Sequence, residues 1–177
     1  DGFPKGDVTV GWETLKLTEE RGKEFSIDRM DNEETLGQAF GLSTADFMRM
    51  QVTPEIDAFR FSKYASATGI STTAAAVLTK DTIIAAIDEA VRQMNADEVP
   101  LEGRVLYINS NLQPLLNQAL TREWGSDGVV NTVLQGYNGM VIKYVPPTRF
   151  YTAITLNDGS TSWGYAKATG ASDINFM

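Results

Sequence analysis

Side chains able to do chemistry cluster at two places in the sequence. Asp28, Asp31, Glu33 and Glu34 put four carboxylates within seven residues. Oxygen ligands in such number suit calcium or magnesium. The same acids also suit a helix N-terminus, where negative charge meets the positive end of the helix dipole. Asp31 at the N-cap with Glu34 three positions on has capping-box spacing, with Asp in the Ser/Thr role. Capping accounts for both residues directly, so it is the stronger reading. The second cluster, Asn157-Asp158-Gly159-Ser160, has calcium-loop composition but lacks the alternating ligands and distal Glu of a helix-loop-helix site. It reads as a turn.

Other chemistry is limited by what is missing. The chain has no His and no Cys. Imidazole and thiolate zinc sites, Ser-His-Asp and Cys-His catalysis and disulfides are therefore excluded. Paired carboxylates could still cleave glycosides. Sequence alone cannot set two of them across a cleft, and the acids fall at helix starts and loop tips, where solvated surface or subunit contact is expected. No catalytic, metal or cofactor residue is assigned, and no enzyme is expected. The formal net charge of −8 and the scatter of the 15 basic residues disfavour binding to nucleic-acid phosphates. No apolar run reaches 18 residues, so no membrane-spanning helix is expected. Asp1 to Asp7 lack the basic start and apolar stretch of a signal peptide. They also lack an initiator Met, so the chain is expected to begin inside a longer product.

The elements that must position these residues read as α+β. Val8, Val10, Trp12, Leu15 and Leu17 alternate loosely with polar residues, and Phe25 and Ile27 share one side of a second extended run. With Thr18-Glu19-Glu20-Arg21-Gly22 between them, the pattern predicts a hairpin with a charged tip. So small an apolar set makes that hairpin weak alone, and it must lean on something. Leu36, Phe40, Phe47, Met48, Val52, Ile56 and Phe59 follow helical spacing, interrupted at Gly41 and Pro54. Thr79 caps a second helix with Ile83, Ile87, Val91 and Met94 on one stripe. A strand over 104–109 follows, then a short helix from Ser110 carrying Leu115, Leu116 and Leu120. Strands over 129–134 and 140–145 flank Asn138-Gly139, a strong turn signal. Residues 173–177 open a further strand. The aromatic residues Phe150, Tyr151, Trp163 and Tyr165 could form a sugar-binding shelf, but core or interface packing is the better reading.

Three stretches in this order carry a resemblance. They are Leu17-Thr18-Glu19-Glu20-Arg21-Gly22-Lys23-Glu24-Phe25-Ser26-Ile27-Asp28-Arg29-Met30-Asp31-Asn32-Glu33-Glu34-Thr35, then Val99-Pro100-Leu101-Glu102-Gly103-Arg104-Val105-Leu106-Tyr107-Ile108, then Gly139-Met140-Val141-Ile142-Lys143-Tyr144-Val145-Pro146. Together they resemble the major capsid proteins of tailed phages and prophages of Gram-positive hosts, which are similar to the Hong Kong 97 shell fold.

The resemblance implies an extended loop over residues 1–30 that reaches over a neighbouring subunit. It implies a peripheral-domain spine helix and linker over 31–78, and an axial domain with a mixed sheet over 79–165. Residues 166–177 would be a truncated return strand toward the peripheral domain. Relatives usually carry an N-terminal arm and a further strand, which implies a trimmed subunit. The implied function is a structural major capsid subunit that self-assembles as pentamers and hexamers into an icosahedral phage head around DNA. Assembly would take place in the bacterial host cytoplasm, with portal and scaffolding proteins as possible further partners. Glu19, Glu20, Arg21 and Lys23 are the expected inter-subunit contacts. A loop Lys of the family's namesake forms an isopeptide crosslink. Its partners cannot be matched here, so salt-bridging or solvent exposure is the expectation for Lys16 and Lys23. The alternatives are an encapsulin-like nanocompartment shell, which shares the fold, and, from another class, a carboxylate-based hydrolase.

Overall fold

The computed structural model describes residues 2, 6–14, 16–24, 26–35, 37–73, 76–120 and 136–177. Helix and sheet are mixed, as an α+β reading requires. Helix α1 spans Arg29–Glu34, α2 Gln38–Phe47, α3 Thr53–Ala65, α4 Ile83–Ala96 and α5 Gln113–Ala119. Strand β1 spans Val105–Asn109, β2 Gly136–Tyr137, β3 Met140–Val145, β4 Ile154–Leu156 and β5 Tyr165–Lys167. β1 and β3 run parallel in the register Val105↔Val141 to Asn109↔Val145, and β2 pairs antiparallel with β3. β4 and β5 form a separate antiparallel pair.

One core lies where α4 and α5 cover the three-stranded sheet. Ile83, Ile87 and Val91 are buried at helical spacing and meet Leu106 and Ile108 of β1, Leu116 of α5, and Met140 and Ile142 of β3. The predicted stripe along α4 is therefore the one buried, with Met94 at its half-buried end. Period-two alternation sends Tyr107 to the opposite face of β1. A second cluster of Val145, Phe150 and Ile174 forms beside it, with Phe61 and Ala65 of α3 packed against it. Phe61 meets Tyr107 and Phe150 edge-on, with ring centroids 5.3 and 5.0 Å apart. This cluster joins the long helical segment to the sheet, and Arg149 reinforces it by pairing with Asp57 at 3.1 Å.

Several details depart from the sequence expectations. Among the described residues no strand forms over 6–28, so the predicted hairpin is absent and the segment runs without regular secondary structure. Its alternation is too loose, and its apolar set too small, to hold two strands together. The first helix begins earlier than expected. Asp28, not Asp31, sits ahead of α1, with its carboxylate accepting from the Met30 N–H at 2.9 Å, while Asp31 lies inside the helix. The long helical segment breaks at Gly37, whose φ of 78° is left-handed, and not at Gly41, which lies within α2.

Pro54 lies in the first turn of α3, as the reading of a proline that starts a new helix expects. A wider π turn over Met48–Val52 precedes it, and the Thr53 hydroxyl donates to the Met48 carbonyl at 2.9 Å. Proline has no N–H and its ring crowds the carbonyl four residues back; a widened turn relieves both problems. The N-cap of α4 is Thr82, whose hydroxyl accepts from the Thr79 N–H at 2.9 Å, so Thr79 starts the preceding turn. Asn109 rather than Ser110 caps the short helical turn after β1, its side chain accepting from the Asn111 N–H.

Asn138 and Gly139 have φ of 48° and 79°, the paired positive values of a tight hairpin turn between β2 and β3. Tyr137 fastens this hairpin to α4 by donating to Asp88 at 2.7 Å, a bond that pushes its phenol pKa up to about 12. The strand expected over 129–134 lies outside the described residues. The end of the chain adds to the sheet. Tyr107 and Met177 exchange backbone hydrogen bonds at 2.9 and 2.8 Å, and the Asn109 N–H donates to Asn175. Arg104 is buried and has no carboxylate partner among the described residues; it donates to the Pro100 and Val99 carbonyls and to Asn95 Oδ1. Its charge meets the C-terminal end of α4, where a cation is favoured, and it ties the 97–103 loop to the helix.

Candidate functional site

The most unusual part of the molecule is the segment ahead of α1. Val8, Val10, Trp12 and Leu17 are 84%, 80%, 98% and 85% exposed. Single exposed apolar residues are ordinary, but a run of them is not. Farther along, Phe40, Leu42, Met48 and Met50 leave another apolar series in water on the long helical segment.

Between these two surfaces the chain is fastened down. Arg21 Nε pairs with Glu55 Oε1 of α3 at 2.6 Å, and the two side chains are only 23% and 18% exposed. A second guanidinium nitrogen donates to the Asn157 carbonyl at 2.7 Å. Two residues on, the Lys23 ammonium lies 4.4 Å from the ring centroid of Trp163, a cation–π contact. One short stretch thus binds both α3 and the turn between β4 and β5.

That turn is itself stiffened. The Asp158 carboxylate accepts from the backbone N–H groups of Ser160, Thr161 and Ser162 at 3.2, 3.1 and 2.9 Å. These donors, Ser162 foremost, hold its pKa down to about 2. Asn157 Nδ2 donates to the Trp163 carbonyl at 2.8 Å. The cluster read as a turn is a turn, and its acid is spent on the backbone.

Under the strap lies a cavity of 390 Å³. Phe47, Val52, Ile56, Phe59, Leu156 and Trp163 give it an apolar wall, with Arg21, Lys23 and Arg60 at its polar margin. Glu19 and Glu55 also line it. Two carboxylates in one cavity are what a hydrolase of the carboxylate type needs, but Glu55 is committed to Arg21.

Of the four expected contact residues, Glu19 and Glu20 are exposed, whereas Arg21 and Lys23 are engaged within their own chain. Lys16 is exposed. Asp28 caps α1 and Glu33 pairs with Arg29 at 3.0 Å, so these acids serve the helix start. Among the described residues no group of three or more acids is placed to hold a metal ion, and no helix is long and apolar enough to cross a membrane. Phe150 is core, Trp163 lines the cavity, and Tyr165 donates to the Thr148 carbonyl. Sequence reasoning missed Glu55, Asn157 and Trp163 as partners of the strap. No local pattern marks them, because each is set by tertiary contact.

Compared with protein-family models, with curated proteins and with solved structures, the chain matches none.

Proposed function

We propose that this chain is a structural subunit that works by self-association, of the tailed-phage major capsid type with a Hong Kong 97-like fold. In this reading residues 6–28 are the extended loop, the helical segment from Gln38 to Ala65 is the spine, and the sheet with α4 and α5 is the axial domain. The observation that supports it is surface area. The chain exposes 13784 Å². A compact monomer of its 19.4 kDa mass exposes roughly 8,500 Å². Apolar side chains that the chain does not cover contribute to the difference, among them Val8, Val10, Trp12 and Leu17 ahead of α1 and Phe40, Leu42, Met48 and Met50 on the helical segment, as surfaces that a neighbouring subunit would cover.

Electron microscopy of the full-length gene product tests the reading. Closed shells built from five- and six-fold clusters are the expected result, and a product that stays monomeric at high concentration would overturn it. Neighbouring genes separate the two shell readings: portal, protease and terminase genes go with a phage head, a protein cargo with an encapsulin-like compartment.

A carboxylate hydrolase draws on one observation, that Glu19 and Glu55 line a common cavity. Against it stands the pairing of Glu55 with Arg21. Turnover of a glycoside that disappears in Glu55→Gln would favour it over the shell.

A further inference from the structure

Independently of the shell reading, we infer that Asn138 is a site of spontaneous covalent modification: its side-chain amide is lost to an imide closed by the Gly139 nitrogen, at a rate set by the Tyr137–Asp88 hydrogen bond. Asn138-Gly139 is the one Asn-Gly step in the sequence. Glycine puts no side chain in the path of its own nitrogen, so such a step closes the five-membered ring most readily. Both residues are exposed at the tip of the β2–β3 hairpin. No atom beyond its chain neighbours lies within 4 Å of where a Gly139 side chain would begin. No hydrogen bond among the described residues engages the Asn138 side chain or the Gly139 N–H.

A second step of the same type is held differently. At Asp158-Gly159 the glycine N–H donates to the Ser162 carbonyl at 2.9 Å. The Asp158 carboxylate is occupied by the N–H groups of Ser160, Thr161 and Ser162. Nucleophile and target are both tied down there, and at Asn138-Gly139 neither is.

The reaction needs no co-reactant except water. The Gly139 nitrogen attacks Asn138 Cγ. The N–Cγ bond forms, the Cγ–Nδ2 bond breaks, and the Gly139 proton leaves with Nδ2 as ammonia. Water then opens one of the two imide bonds. Opening at Cγ leaves aspartate at position 138; opening at the backbone carbonyl leaves isoaspartate, with the chain running through the side chain.

The hairpin is the gate. Closed, it holds Asn138 at φ 48° and Gly139 at φ 79°. Ring closure needs Asn138 to rotate about its Cα–C bond, and that rotation breaks the pairing of Tyr137 with Met140. β2 is only two residues long, and so short a hairpin opens readily unless something else holds it. Tyr137 holds it, by donating to Asp88 of α4 at 2.7 Å. Isoaspartate adds one backbone atom to a tight loop whose paired positive φ values set the strand register. The product therefore cannot close the same hairpin, and the release is irreversible.

The test incubates the 177-residue chain, Tyr137→Phe and Asp88→Ala in mildly alkaline buffer, and maps aspartate and isoaspartate by peptide mass spectrometry. In the parent chain Asn138 is expected to convert ahead of every other asparagine, with Asp158 unchanged. Each variant is expected to convert about two- to tenfold faster, the factor for losing one hydrogen bond that favours the closed state. The double variant should convert no faster than the faster single one, since both changes remove the same bond. Should one variant misfold by circular dichroism, the other removes that bond from the opposite side and decides. An Asn138 that stays intact while other asparagines convert overturns the site. Conversion at the parent rate in the folded variants overturns the gate.

Discussion

The Arg21 guanidinium meets the Glu55 carboxylate at 2.6 Å, and this pair joins a segment without regular secondary structure to the middle of the long helical segment. Its side chains are mostly covered, so water screens it less than an open surface pair. Four other ion pairs, Arg29–Glu33, Arg49–Asp46, Arg92–Glu89 and Lys167–Asp173, lie between near neighbours in sequence and are more open. The Arg21–Glu55 pair, like Arg149–Asp57, therefore ties together distant parts of the chain, whereas those four act locally.

Removing the latch should free the strap with little effect on the core. Arg21→Ala is predicted to raise hydrogen exchange and protease cleavage over residues 16–24. Global stability should fall by about 1 kcal/mol at most, since the pair is at the edge of the folded body. A double-mutant cycle with Glu55→Gln should show positive coupling. Unchanged exchange over the strap in Arg21→Ala would show that Lys23 and Trp163 hold it without Arg21.

The α4–sheet core should carry most of the stability. Ile87 is 1% exposed and central to the main cluster. Ile87→Ala is predicted to cost about 2–5 kcal/mol in chemical denaturation. Ile56→Ala, at a site 42% exposed, should cost less than half as much. Similar losses at the two positions would mean that the second site is covered in solution, as an occupied cavity would make it.

Acid should loosen the β4–β5 turn first. Asp158 is held down to about 2 by backbone donors, from an ordinary value of 3.8. A depressed carboxylate contributes stability above its unfolded value and loses it as the pH falls toward the folded one. The turn should therefore be fully stabilised above about pH 4 and weaken between about pH 4 and pH 2. Carboxyl chemical shifts across that range check the value, and Asp158→Asn should remove that part of the pH dependence. An Asp158 titrating at its ordinary value would show that the three N–H donors are not held in solution.

The charged residues before the latch should matter to assembly and not to folding. Glu19 and Glu20 are exposed, and neither has a partner among the hydrogen bonds and ion pairs of the described residues. Reversing both to Lys is predicted to leave the thermal midpoint of this chain nearly unchanged while reducing particle yield from the full-length product. Calorimetry and particle counts measure the two. Normal particle yield would remove these residues from the contact; a large drop in thermal midpoint would mean that they pack on their own subunit.

Much of the fold was legible in the residues because it depends on local periodicity. Ile83, Ile87 and Val91 mark a helix face, the apolar positions of β1 and β3 mark buried strand faces, and Asn138-Gly139 supplies the two positive φ values that a tight hairpin needs. Such signals depend on neighbours along the chain, so they survive without knowledge of the tertiary structure. The segment over 6–28 fits a strand template by its weak alternation, yet its described residues form no strand, because it has too little apolar area to pair. What holds it was not visible. Arg21 finds Glu55 and Asn157, and Lys23 finds Trp163, across separations over which no period or spacing rule operates. The sequence by itself determined the buried stripe of α4, strands β1 and β3 with the tight turn before β3, and the chemistry excluded by the absence of His and Cys. The tertiary structure alone decided which charges are spent within the chain and which apolar side chains are left facing water, because burial is a property of the packed whole.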